Sequence, residues 1–326
     1  MSQLIQPWRP LLATAALALP LSVAAQTPLP VLATVGMLAD VTEQVAGECA
    51  QVTALMGAGS DPHRYQPTAS DVNKLRDAEL ILYVDHALEA QLASVLNRFS
   101  ERTPTVGVAA ATFDAHELLE DAEEPGEIDP HIWMDARMWA RVAETIAEQI
   151  SDLRPDCAAD IAEHTTAYTV QLHALHEWIT ASIASIPTGQ RALVTAHDAF
   201  YYYGAAYGLE ASEAIEGIST ESEASIADIR AVADFVVANA VPAVFVETTI
   251  NPRTIQAMVA EVQARGHEVV IGGELYSDAM GEPGTLGGTY IGMLWENTVT
   301  ITEALGGTVA PLPEALSAWA ADWDIE

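Results

Sequence analysis

Positive charge is nearly missing from this chain. Of 326 residues only 13 are lysine or arginine, against 46 aspartate or glutamate; the formal net charge is −33, and Lys74 is the single lysine. So acidic a surface repels phosphate backbones and anionic membranes, which removes nucleic acid and lipid headgroups from the partners to consider. It concentrates cations around the protein, although most of the charge reads as a solvated surface. Long apolar runs are also missing beyond the first 25 residues. No later stretch approaching ~20 residues is free of charge and turn formers, so no transmembrane helix is expected. Cysteine is scarce as well. Cys49 and Cys157 lack the Cys-x-x-Cys spacing of a zinc knuckle. They lie 108 positions apart in what read as different elements, and two unpaired thiols are the expectation. Also absent are His-Glu-x-x-His, Gly-x-Ser-x-Gly and a phosphate-cradling glycine loop, the short signatures of common hydrolases and nucleotide binders.

What is present begins with a processing signal. Arg9 is the only charge ahead of the apolar run Leu11 to Val23, and Val23-Ala24-Ala25 places small residues at a cleavage site. Residues 1–25 therefore read as a signal peptide, and the mature chain as a secreted, periplasmic protein in an oxidising compartment. No cysteine stands at the cleavage point, so a bacterial lipid anchor is not expected. Cleavage leaves 301 residues, enough for two lobes of ordinary size.

Apolar strands alternate with helical patterns along most of that length. Strands are predicted at 30–36, 52–56, 79–84 and 105–109, with helices at 37–47 and 71–77, the latter capped by Ser70. After an acidic loop at 114–127, the stretch 156–186 has no glycine and no internal proline. Its apolar residues recur at threes and fours, and Pro155 and Pro187 bracket it. That is one helix of up to ~30 residues, a rigid spine near 45 Å long. The alternation then resumes, with strands at 192–195, 241–246 and 269–271 and helices at 226–238, from 251 onward and at 290–305. The fold class is α/β: two lobes, each a small, mostly parallel sheet flanked by helices, joined by one long rigid helix. The expected divisions are 26–155, 156–187 and 188–326.

Two tripeptides carry the chemistry: Asp61-Pro62-His63 and Asp129-Pro130-His131. Proline fixes its own φ and keeps the preceding residue out of the helical region, so each histidine leaves a stiff corner with its imidazole confined. A confined neutral imidazole suits a metal ligand. His197, at the end of a strand, and Asp278, in a glycine-rich stretch, lie in loops expected beyond the carboxyl ends of the strands, where open α/β sheets bind ligands. His173 and His176, three apart on the spine, form a lesser candidate. The other histidines have ordinary surface or loop explanations.

In these stretches the chain resembles a known family. Asp61-Pro-His-Arg-Tyr-Gln-Pro-Thr-Ala-Ser-Asp71, Asp129-Pro-His-Ile-Trp-Met-Asp135, Val194-Thr-Ala-His-Asp-Ala-Phe200, Gly217-Ile-Ser-Thr-Glu-Ser222, Phe245-Val-Glu-Thr-Thr-Ile-Asn-Pro252 and Leu275-Tyr-Ser-Asp-Ala-Met-Gly281 run in family order over almost the whole mature chain. They are similar to the metal-binding receptors of bacterial zinc and manganese ABC importers, the substrate-binding proteins with a rigid linking helix. The resemblance implies a metal ion held between the lobes by His63, His131, His197 and Asp278, and a membrane permease as partner of a monomeric receptor. Some family members have glutamate at the third position, often in manganese receptors; this chain has His197. Zinc receptors often have a long histidine-rich loop before the second ligand, where this chain has only His116.

Three imidazoles and a carboxylate favour zinc; manganese, which prefers more oxygen, ranks a close second and ferrous iron third. Glu247 is the leading candidate to orient an imidazole from behind, whereas Asp61, Asp129 and Asp198 are expected to cap backbone N–H groups. Metal affinity is expected to fall below about pH 6 as protons compete for the imidazoles. A mononuclear zinc hydrolase would keep an open coordination position, and four ligands close this one, so no enzymatic activity is expected. A metal-dependent adhesin is the other alternative; it would need a surface tether.

Overall fold

The computed structural model describes residues 27–120, 126–209, 211–222 and 224–325; the predicted signal peptide and residues 121–125 of the acidic loop lie outside them. The chain opens with β1 (Leu29–Ala33), α1 (Gly36–Ala46), β2 (Ala50–Ala54), α2 (Ala69–Asp77), β3 (Leu80–Tyr83), α3 (Ala93–Phe99), β4 (Thr105–Gly107) and α4 (Val108–Thr112). The four strands are parallel, in the order β2-β1-β3-β4. β1 and β3 are apolar almost throughout and take the centre, as strands covered on both faces must. α2 starts two residues earlier than the sequence reading placed it. Its cap is Thr68, not Ser70: Thr68 Oγ1 accepts the Asp71 N–H, and Asp71 Oδ2 accepts the Thr68 N–H at 2.9 Å, a reciprocal pair that satisfies two free donors.

α5 (Ala136–Leu153) and α6 (Ala158–Ala184) follow. α6 is the predicted spine, 27 residues long, and Pro155–Cys157 form a separate 3-10 turn ahead of it. The second half contains β5 (Ala192–His197), α7 (Tyr201–Tyr207), β6 (Ala211–Glu216), α8 (Ile226–Ala238), β7 (Ala243–Glu247), α9 (Arg253–Ala264), β8 (Val270–Leu275), α10 (Tyr290–Ala304) and α11 (Ser317–Ala321). β5 pairs in parallel with β6, β7 pairs in parallel with β8, and β5 runs beside β7. Several elements go beyond the sequence reading, α3, α4 and α11 among them. α5 buries a face that includes Trp139, Val142, Ala143, Ile146 and Ile150. α7 is a short run of tyrosines and small residues, and β6 carries two glutamates in six residues.

The spine packs against α1, α5, α7 and α10. Trp178 of α6 stacks on Trp295 of α10, with ring centroids 3.8 Å apart. One apolar core thus runs from β1 through α6 to α10, and a smaller second core fills the space between β5, β7, α8 and α9. Asp40 marks the junction: from α1 it accepts the Tyr168 hydroxyl of α6 and the Tyr290 N–H of α10, each at 3.3 Å. Burial there pushes its carboxyl up to about 6.

Cys49 and Cys157 form a disulfide, contrary to the expectation of free thiols; their Cα atoms lie 6.2 Å apart. Sequence distance misled because α6 packs against α1 and returns residue 157 to the turn that ends α1. Gly47 fits the same crowded corner. Its φ is 51°, and a Cβ there would lie 2.6 Å from the His164 ring, so both conformation and space call for glycine.

Candidate metal centre

His63 lies beyond the carboxyl end of β2, His197 is the last residue of β5, and Asp278 follows β8 by three residues. His131 leads into α5 through a 3-10 turn. These four residues, distant in sequence, each offer a ligand atom, and all four atoms lie within 4.8 Å of one another. All four residues are buried. His63 Nε2 is 3.4 Å from His131 Nε2 and 3.7 Å from Asp278 Oδ2; His131 Nε2 is 3.3 Å from Asp278 Oδ1; His197 Nδ1 is 3.8 Å from Asp278 Oδ2. Neither Asp278 oxygen has a hydrogen bond of good geometry, and neither does His197 Nδ1. Buried polar atoms left in this way call for a cation or protons among them. Donors around a tetrahedral zinc ion with bonds of ~2.05 Å stand ~3.3 Å apart, so this spacing needs little adjustment.

The two Asp-Pro-His corners are supported differently. Asp129 Oδ1 accepts both the backbone N–H of His131, at 2.9 Å, and its ring Nδ1, at 2.7 Å. That fixes the tautomer and turns Nε2 to the cluster. The sequence reading gave Asp129 the backbone role alone. Asp61 Oδ1 accepts the backbone N–H of His63 at 3.0 Å, and its other oxygen accepts the Thr220 hydroxyl at 2.6 Å. Glu247 holds the end of β5: its Oε1 accepts the N–H groups of Ala196 and His197 at 3.0 and 2.9 Å, and Oε2 lies 3.4 Å from His197 Nδ1. His197 Nε2 faces the carbonyl of Ile218 at 3.3 Å. A second tie links the lobes: Trp133 Nε1 donates to the Ser277 carbonyl, next to Asp278, at 3.0 Å, and the Tyr290 hydroxyl donates to the Trp133 carbonyl at 2.7 Å. Trp133 and Ile218–Thr220 lie in stretches that carry the family resemblance, but the sequence assigns neither a role at the site.

Charge follows from these contacts. Burial lowers the His63 pKa to about 3, with Asp278 opposing in part. Burial also works against charge on His131 and His197, but carboxylates outweigh it. Asp129 and Asp278 raise His131 to about 9, and Asp278 and Glu247 raise His197 to about 10. Asp278, despite burial, is held well below the ordinary carboxylate range by the three imidazoles. Both shifts favour the protonated imidazoles of His131 and His197 beside the Asp278 carboxylate. The lesser candidate pair separates: His176 is buried beside Asp135, at 3.7 Å, while His173 is exposed.

Residues 31–304 match the family described as ZnuA, zinc-uptake complex component A, periplasmic. The chain belongs to this family. It is 40% identical over 276 residues to the zinc-binding protein TroA of Treponema pallidum, covering 84% of this chain and 88% of that protein. It is 39% identical over 277 residues to the manganese-binding lipoprotein MntA of Bacillus subtilis, covering 85% and 90%. The solved structure of Treponema pallidum TroA superposes with a TM-score of 0.82 at 39% identity, over 85% of this chain and 99% of that one. The Fe(III)-bound structure of YtgA from Chlamydia trachomatis superposes with a TM-score of 0.77 at 27% identity, over 87% and 100%. The two-lobed α/β fold with its linking helix is that of these relatives. Among the described residues no helix is long and apolar enough to cross a membrane.

Proposed function

We propose that this protein is the extracytoplasmic receptor of an ABC importer. It captures a divalent transition metal ion with His63, His131, His197 and Asp278 and delivers it to a membrane permease. Residues 26–155 form one lobe and 188–326 the other, joined by the helix within 156–187, with the ion between them. The observation that carries the reading is the buried cluster of three imidazoles and one carboxylate, their ligand atoms all within 4.8 Å of one another, with both Asp278 oxygens lacking hydrogen-bond partners. Family membership supports the transport role.

Zinc is the first choice of metal, because three nitrogen donors and a carboxylate form a standard zinc set and the intrinsic affinity order places zinc above manganese. Manganese ranks second. The relatives do not separate the two, since the zinc-binding and manganese-binding proteins are nearly equally similar to this chain. Hydrolysis is disfavoured because four protein donors would fill a tetrahedral ion and leave no open position for water or substrate. The test is competitive titration of the metal-free protein with zinc and manganese, together with elemental analysis of protein as isolated. One ion per chain, with zinc the tighter, is expected; failure to bind either metal would overturn the reading.

A further inference from the structure

We infer that the segment Ile218–Thr220 is a latch across the cleft, with Thr220 a positioning residue that slows release of the bound ion. The segment follows β6 in the C-terminal lobe, yet it addresses one candidate ligand from each lobe. The Ile218 carbonyl faces His197 Nε2 at 3.3 Å, which turns Nδ1 toward Asp278. Two residues on, the Thr220 hydroxyl donates to Asp61 Oδ2 at 2.6 Å, and the other oxygen of that carboxylate holds the His63 backbone N–H. Thr220 therefore secures a ligand that it does not touch. Its side chain is fully covered, although Ser219 and Glu221 on either side are exposed. A rim contact adds to the closure: Gln91, after the β3 loop, donates to Glu221.

The far side of the cleft is built otherwise. There the tie from Trp133 to Ser277 and Tyr290 is buried within the main core. Few apolar contacts and exposed neighbours make the outer side the weaker of the two, and a segment held in this way opens first. Opening it frees the His63 corner and the His197 ring together while the inner tie keeps the lobes joined. An ion held by four donors then loses two of its restraints in one motion.

This inference rests on the four residues being ion ligands, so its test has two arms. In the first, zinc-loaded Thr220→Val and Thr220→Ser proteins are mixed with excess chelator and the release rate is followed. Valine keeps the shape and removes the hydroxyl, and release should be about tenfold faster; serine keeps the hydroxyl and should restore the wild-type rate. In the second, amide hydrogen exchange is measured on the metal-free proteins, where valine but not serine should speed exchange at His63 and from Ile218 to Ser222. Wild-type release and exchange in Thr220→Val would overturn the latch. Equal acceleration by serine and valine would overturn the role of the hydroxyl. Because the second arm uses no metal, it decides on the latch even if zinc fails to bind, which would count against the receptor reading alone.

Discussion

The two Asp-Pro-His corners are identical in sequence and unlike in structure. At 129–131 the aspartate bonds both backbone and ring of its own histidine, deep in the protein, and the imidazole becomes the more basic for it. At 61–63 the aspartate bonds the backbone alone and spends its second oxygen on Thr220 of the opposite lobe, and the imidazole is depressed by burial. The first corner is complete within one lobe. The second is completed only when the lobes meet. A stiff tripeptide thus supplies direction in both places, and the surroundings decide whether it also supplies a permanent proton acceptor or a contact that can open.

The largest effect that would sharpen this contrast comes from the aspartates. Asp129→Ala should weaken zinc binding by about 10–100-fold, the usual cost of removing the partner behind a ligating imidazole. Asp61→Ala should cost less affinity and appear mainly as faster release; equal losses in calorimetry and equal release rates would erase the distinction between the corners. Protons give the next measure. With His131 and His197 raised to about 9 and 10, both are charged at pH 7 in the ion-free protein, so zinc uptake should release about two protons. Affinity should then rise with pH through the neutral range and level off only as pH passes about 10. Calorimetry in buffers of different ionisation enthalpy counts the protons, and zero release would refute the charged pair. The smallest effect on binding should follow reduction of Cys49–Cys157, which lies away from both corners. Unfolding stability should drop by about 2–5 kcal/mol, given the 108-residue separation, with zinc affinity almost unchanged. A large loss of affinity on reduction would show that the disulfide helps to set the corners.

Much of this was legible in the sequence for physical reasons. Proline announces the corners at His63 and His131, and the glycine-free, proline-bracketed run announces the spine. Apolar runs announce the central strands β1 and β3. What remained hidden depends on topology. The disulfide needs α6 to lie on α1 before residues 49 and 157 can meet. Thr220 looks like any loop threonine until the lobes bring it to Asp61, and Trp133 looks like core until Ser277 arrives opposite its indole. Strand β6, with two glutamates, carries too little apolar signal to be read locally. Glu247 is expected behind one of the imidazoles from its place at a strand end, but its contact with His197 and its grip on the backbone of β5 require the neighbouring strand to be in position.

The central claim is that one ion sits among the four buried donors, with His131 among them. It is tested most directly by titrating zinc into metal-free wild-type protein and into His131→Ala under the same conditions. One ion per chain is expected for the wild type, with binding at least ~100-fold weaker in the variant, more than removal of an outer partner costs. Unchanged stoichiometry and affinity in His131→Ala would contradict it.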